Sequence, residues 1–240
     1  MSIAVSIVLC TVNEVENLPV LVKEIEEKVK FDYQLVFEDD GSTDGTREYI
    51  IEYAGSHQNV KYFFYQHKRS LLIAEYSGFN HSDGKFIVKM DTDLQHPVDK
   101  LNEIYEILLA GYDIVVASRY IDGGSVGKRD TLRGVISRVA KFFAKIFLVH
   151  ARKTTDPISG FFGFRKGLTL KINEKWRGYE SLLFLLSSNP KARVKDVPYR
   201  FRERSNGDSK IVSGFEFIRI YLTELILAKR LEISSRKISS

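Results

Sequence analysis

Apolar positions in the first half of the chain come in short runs, separated by polar stretches with helical spacing. IAVSIVLC (3–10) is an unbroken apolar run of the length of one buried strand. Asn17 then stands where a helix N-cap belongs, and the pattern predicts a helix to about residue 30. QLVFED (34–39), VKYFFYQ (60–66), KFIVKMD (85–91) and DIVVASRY (113–120) repeat the strand signal. Helical patterns fall between them at 46–54, 71–81 and 97–110, the last opened by Pro97. This alternation implies an α/β fold with a mainly parallel, doubly wound sheet flanked by helices. Sheets of that kind bind ligands at the carboxyl ends of their strands. Asn13–Glu14, Asp39–Asp40, Asp91–Asp93 and Ser118–Arg119 all sit at such ends.

The second half reads differently. A Gly-rich loop (121–129) leads into a helical segment at 131–148. At 100° per residue, Leu132, Val135, Ile136, Val139, Phe142, Phe143, Ile146 and Phe147 share one face of it. Arg133, Arg138, Lys141 and Lys145 share the other. Two uses fit the pattern: a helix packed on the core with a solvated basic face, or a helix lying in a membrane interface. Strand-like pieces follow at 161–165 and 194–201, and a second amphipathic helix at 213–231, before a short polar end (234–240) expected to be loose. The division expected is a catalytic domain over 1–212 and an amphipathic C-terminal helix with its tail over 213–240.

Composition narrows the partners. The formal charge is +5 and the pI about 9.1, which favours an anionic nucleotide, nucleic acid or membrane surface. Residues 123–155 carry eight Lys/Arg against one acid, Asp130. Four of those cations line one face of an amphipathic helix and the segment carries no nucleic-acid motif, so no nucleic-acid partner is expected. A single cysteine, Cys10, excludes an internal disulfide and points to a reducing compartment. The first residues lack a basic region and their apolar run is short for a signal peptide. No stretch reaches the roughly 18 apolar residues of a membrane span.

KMDTDLQHP (89–97) raises a chemical question, a metal grip or an acidic turn. On an extended segment residues i and i+2 point the same way, so Asp91 and Asp93 can share a cation and Gln95 can add a neutral oxygen. Hard divalent ions such as Mg²⁺ or Mn²⁺ use one or two carboxylates and complete their shell with a substrate diphosphate. About one D-x-D arises by chance in a chain this long, and an acidic turn is the plain alternative. In FEDDGSTDGT (37–46), a carboxylate at the strand end can accept from a base N–H or a ribose hydroxyl. Ser42, Thr43 and Asp44 also make good caps for the next helix.

Taken together, CTVNEVENL (10–18), EDDGSTDGT (38–46), KMDTDLQHP (89–97) and VVASRYIDGG (115–124) resemble the GT-A (Rossmann-like) glycosyltransferases of family 2. DPISGFFGFRKG (156–167), RGYESLLFLL (177–186) and VPYRFRERSNGDSK (197–210) narrow the resemblance to synthases of polyprenyl-phosphate sugars, above all the branch that makes dolichyl-phosphate mannose.

The resemblance implies a metal-dependent, inverting transfer of a hexose, foremost mannose from GDP-mannose, to dolichyl or polyprenyl phosphate. The alternatives are a UDP-glucose donor, another acceptor, or a noncatalytic nucleotide-binding or membrane-docking module. By the family pattern the nucleotide pocket draws on Thr11, Asn13, Glu14, Asp39 or Asp40, and Asp91, Thr92 and Asp93, with Mg²⁺ or Mn²⁺ on Asp91, Asp93 and Gln95. Glu14 also reads as an acid that favours the start of the first helix. Arg119, Arg133, Arg204 and Lys210 are the cations expected to gather two phosphate-bearing partners, with Ser137 adding a hydroxyl. The acceptor lipid implies a peripheral protein on the cytoplasmic face of a membrane, attached directly or through a membrane partner subunit. The chain departs from the family at Cys10, Val12, His67–Ser70, Ile73 and Phe184, positions that bear on the donor base and sugar.

Overall fold

A computed structural model describes residues 3–127, 131–168, 170, 172–173, 175–202 and 215–239. Seven strands form one sheet: β1 (Val5–Thr11), β2 (Tyr33–Asp40), β3 (Val60–Tyr65), β4 (Phe86–Lys89), β5 (Ile114–Ser118), β6 (Phe162–Arg165) and β7 (Val194–Pro198). Their order is β3-β2-β1-β4-β6-β5-β7. All pairs are parallel except those of β6, which runs antiparallel between β4 and β5. The helices are α1 (Leu18–Lys28), α2 (Thr46–Ser56), α3 (Leu71–His81), α4 (Lys100–Leu109), α5 (Thr131–Phe147), α6 (Ser181–Ser188) and α7 (Phe215–Ser239).

The apolar runs are continuous because the sheet is covered on both faces. Val5, Ile7 and Leu9 of β1, with Leu35 and Phe37 of β2, meet α1 and α4 through Leu18, Leu21, Ile25, Leu101 and Ile104. The alternate residues Val8 and Val36 point the other way, toward Phe79 of α3 and Leu182, Leu185 and Leu186 of α6. Gly163 makes room for the inserted strand: a Cβ there would lie 2.6 Å from Ile104 Cγ2.

Several boundaries differ from the sequence reading for identifiable reasons. Asn17 does not cap α1 with its side chain; its Nδ2 donates to Glu14 Oε2 at 2.7 Å. β4 stops at Lys89 because the Asp91 N–H leaves the ladder and donates to His96 Nδ1 at 3.0 Å. Pro97 precedes a turn, and α4 begins at Lys100. The expected loose tail is helical through Ser239. It is anchored by Glu232, which accepts the His150 N–H at 2.9 Å, and by Ser235, whose hydroxyl donates to the Ser187 carbonyl at 3.0 Å.

α5 is turned opposite to a core-packed helix. It meets the body through Ala140, Ala144 and Leu148, which pack with Leu183, Phe184, Tyr221, Leu225 and Ala228. Ile136, Val139, Phe142, Phe143, Ile146 and Phe147 are exposed, Phe142 by 61%. α7 likewise shows Ile218, Leu222, Ile226 and Ile233 on its outer side. Among the described residues, no helix is long and apolar enough to cross a membrane.

Candidate active site

A cleft of about 1060 Å³ opens at the carboxyl ends of β1, β2 and β4. Its floor carries Thr11, Glu14, Asp40, Asp91, Thr92 and Asp93, brought together from three strand ends. Lys68, Arg69, Lys175 and Arg177 also line it, none of which was expected as a ligand from the sequence.

The two neighbouring aspartates of β2 have different tasks. Asp39 is fully buried and accepts from Thr11 Oγ1 (2.9 Å), Ser42 N (3.1 Å), Ser42 Oγ and Arg47 Nε (2.6 Å). It ties the first two strand-end loops together and is absent from the cleft lining. Asn13 belongs to the same tie. Its backbone is left-handed (φ +54°), its Oδ1 accepts the Thr43 N–H at 2.8 Å, and its own N–H goes to Ser42 Oγ. Asp44, as the capping pattern suggests, accepts from the N–H and hydroxyl of Thr46 at the start of α2.

Asp40 faces the cleft. Its Oδ2 accepts the Arg69 N–H at 2.9 Å and its Oδ1 the Arg69 Nε–H at 2.8 Å. Arg69 Nη2 donates to Glu38 Oε2 at 2.9 Å, and the guanidinium carbon lies 3.3 Å from the centre of the Tyr65 ring. An acid and a flat cation are thus held side by side at the cleft wall.

Asp91 and Asp93 both border the cleft, while Gln95 stands outside its lining. Gln95 Nε2 donates to the Arg202 carbonyl at 3.1 Å, and its N–H to Asp93 Oδ1 at 3.2 Å. Leu94, left-handed at φ +64°, turns the chain between them. Lys89, buried behind the pair, donates to Asp91 Oδ1 at 2.6 Å and lies 3.0 Å from Glu75 Oε1. Burial alone raises the Asp91 pKa, but Lys89 and then His96 outweigh it and bring it down to about 2. Asp91 is therefore a firm anion at neutral pH. Among the described residues no cluster of three His, Cys, Asp or Glu side chains forms a metal cage. Two carboxylates open to a cleft fit an ion that shares its shell with a diphosphate, the usual manner of Mg²⁺.

The expected phosphate cations divide. Arg119 is buried, and its Nε and Nη2 donate to Asp156 Oδ2 and Oδ1 at 2.7 and 2.9 Å. This two-pronged pair braces β5 against the segment before β6, and Arg119 is absent from the cleft lining. Ser137 Oγ lies 3.3 Å from the Tyr120 hydroxyl, away from the cleft lining. Arg133 lies on α5, but its side chain is outside the described residues, as are Arg204 and Lys210.

Residues 6–172 match the model of glycosyl transferase family 2. Over 218 residues the chain is 34% identical to a dolichol-phosphate mannosyltransferase of Pyrococcus furiosus, covering 90% of this chain and 62% of that one. It is 32% identical to a dolichol-phosphate mannosyltransferase of Saccharomyces cerevisiae over 80% of this chain and 73% of that one. The chain thus spans less than two thirds of the Pyrococcus relative. The fold superposes on glucosyl-3-phosphoglycerate synthase of Mycobacterium tuberculosis in complex with UDP, with TM-score 0.69 at 18% identity over 95% of this chain and 80% of that one. A complex of the same synthase with Mn²⁺, UDP and glucosyl-3-phosphoglycerate gives 0.65 at 18% identity over 97% and 78%. The architecture is the GT-A fold that the motifs imply.

Proposed function

The chain belongs to glycosyl transferase family 2, and from that premise we propose that it transfers a hexose, foremost mannose from GDP-mannose, to the phosphate of a polyprenyl lipid such as dolichyl phosphate. The observation that carries this reading is the meeting of Asp40, Asp91 and Asp93 with Arg69 and Arg177 in one cleft at the strand ends. The acids suit a base and a metal-bound diphosphate, and the cations suit phosphate oxygens.

Asp91 and Asp93 are the residues that would hold Mg²⁺ or Mn²⁺, which supplies charge neutralisation of the leaving diphosphate. The chain's own residues do the positioning. Lys89 keeps Asp91 ionised and fixed in orientation. Thr11 and Ser42, through Asp39, hold the loops that shape the nucleotide side. An acceptor phosphate is already anionic near neutral pH, so the transfer needs alignment more than a general base. Arg133, Arg204, Lys210 and Ser137 complete the acceptor side in this proposal on the strength of their motifs; Lys175 and Arg177 add two cations at the cleft rim.

The outward apolar face of α5, flanked by Arg138, Lys141 and Lys145, supports peripheral attachment to an anionic membrane on its cytoplasmic face, directly or beside a membrane partner subunit. A second reading, a UDP-hexose donor, fits the same Asp40–Arg69 pair. Uracil and guanine both present an N–H beside a carbonyl, and an acid next to a cation matches either edge.

The test is transfer of labelled mannose from GDP-mannose to dolichyl phosphate, with and without Mn²⁺, beside a UDP-glucose arm. Metal-dependent transfer is expected, and Asp93→Ala loses on the order of 100-fold or more of it with unchanged melting. Absence of transfer from either donor with metal present refutes the reading. Near-normal turnover of Asp93→Ala removes the metal role.

A further inference from the structure

The cleft wall on the side away from the aspartates is a short strap, Lys175 to Glu180, with little regular structure of its own. Something outside the strap must hold it. On one side α3 does so: Ser70 Oγ donates to the Trp176 carbonyl at 3.2 Å, and the Leu72 N–H to the Gly178 carbonyl at 3.0 Å. On the other side one α7 side chain serves. Glu224 Oε1 accepts the N–H groups of Tyr179 and Glu180 at 2.7 and 2.9 Å. Gly178 is the seat for that carboxyl group: a Cβ there would lie 2.1 Å from Glu224 Oε1. Phe217 stacks between Tyr179 and Tyr221, with ring centres 6.0 and 6.1 Å apart.

From this geometry we infer that Glu224 is a positioning residue, a latch by which α7 holds the Trp176–Glu180 wall of the cleft in place. The inference rests on the sugar-transferase reading only for what the wall encloses. The same helix that turns Ile218, Leu222 and Ile226 outward turns Ile220 and Glu216 to the cleft and Glu224 to the strap. α7 is thus a shared partition between the outer apolar surface and the donor cleft.

The latch has a defined protonation state. Glu224 is fully buried, and among the described residues its Oε2 has no hydrogen-bond partner. The titratable groups around it are Glu75 from α3, Glu180 from the strap and Tyr221 on its own helix, while Lys89 from β4 and Arg119 after β5 act on Glu180. Burial raises the Glu224 pKa most; the two N–H bonds oppose it and Glu75 adds to it, leaving it at about 8. The ordinary value is 4.5. Between the two, the folded chain keeps a proton that the unfolded chain has lost, so the contribution to stability falls as pH rises through that window. Below about 8 the neutral acid accepts both N–H groups through Oε1. Above it, a charge buried between Glu75 and Glu180, two acids whose own pKa values burial already raises, drives the strap away.

Trp176 is the only tryptophan and sits in the strap, so its fluorescence reads the latch without any turnover. In the wild type, emission shifts to the red and acrylamide quenching strengthens as pH passes about 8. Glu224→Gln keeps the accepting oxygen and cannot ionise; it retains the neutral-pH emission and loses the transition. Glu224→Ala shows the shifted, quenched state already at pH 7, and in turnover its donor KM rises more than its kcat falls. If Glu224→Ala fails to fold, Gly178→Ala opens the latch from the other side and gives the same shift. Wild-type emission at pH 7 from folded Glu224→Ala or Gly178→Ala overturns the proposal, as does a Glu224→Gln protein that keeps the transition. Because the signal needs no sugar transfer, a failed latch and a failed transferase assignment are told apart.

Discussion

Arg119 and Asp156 face each other in a buried two-pronged pair, with side chains 6% and 0% exposed. Such a pair says little about net stability until one partner is removed, and then the other is left buried and unpaired. Asp156→Ala should therefore destabilise the fold by roughly 3–5 kcal/mol, read as a lowered denaturation midpoint in urea. Activity should fall only with the folded fraction. The same pair shows where residue-level reading ran out. An Arg at a strand end looks identical in sequence whether it serves a ligand or an aspartate 37 residues later. Asp91 and Asp93 were legible because their spacing and strand-end position both pointed to one cleft. Which of Asp39 and Asp40 faces the ligand was not legible, because successive strand residues point opposite ways and the outcome hangs on Arg47 and Arg69. Lys175 and Arg177 were missed because they sit in the strap, whose place at the cleft depends on contacts from α3 and α7.

At the scale of elements, the alternating first half was readable because the central strands β1, β2 and β4 are apolar on both faces and α1 and α4 on one. α6 was not readable as a helix: every residue from Ser181 to Ser187 is buried, so it has no polar face to set a period. The antiparallel insertion of β6 depends on pairing with β4 and β5 across long stretches of chain, which local pattern does not encode. α5 shows the limit of amphipathic reasoning. The pattern separated a Phe/Ile face from a basic face, but packing falls on the small-residue edge at Ala140 and Ala144. The aromatic face is left for something else. Phe142→Asp combined with Phe147→Asp should sharply reduce co-flotation with phosphatidylserine vesicles and leave the melting temperature unchanged. Each lost Phe insertion is worth roughly 1.5–3 kcal/mol, about tenfold or more in binding. Unchanged flotation rejects the lipid surface as the occupant of this face, and a large drop in melting temperature would place the phenylalanines in the fold instead.

For the molecule as a whole, a net charge of +5 surrounds a cleft whose floor is acidic. That combination suits a donor that enters as an anion and is gripped through both a metal and its base. The base is where the grip must discriminate. Asp40 offers an acceptor and Arg69 a donor, side by side and pinned by Glu38 and Tyr65. Guanine and uracil place an N–H next to a carbonyl oxygen and satisfy both. Adenine and cytosine present an amino group beside an unprotonated ring nitrogen, the reverse order, and leave Asp40 or Arg69 facing a like partner. An unmet polar group at a buried edge costs roughly 1–3 kcal/mol, about tenfold or more in affinity. In competition binding with Mn²⁺ present, GDP and UDP should therefore exceed ADP and CDP by about tenfold or more, with GDP above UDP because the guanine amino group gives the carboxylate a second N–H. Asp40→Asn should flatten the series while leaving the diphosphate grip of Asp91 and Asp93 in place. UDP above GDP moves the donor to the second reading. Equal binding of all four means that Asp40 and Arg69 brace the cleft wall and do not read the base.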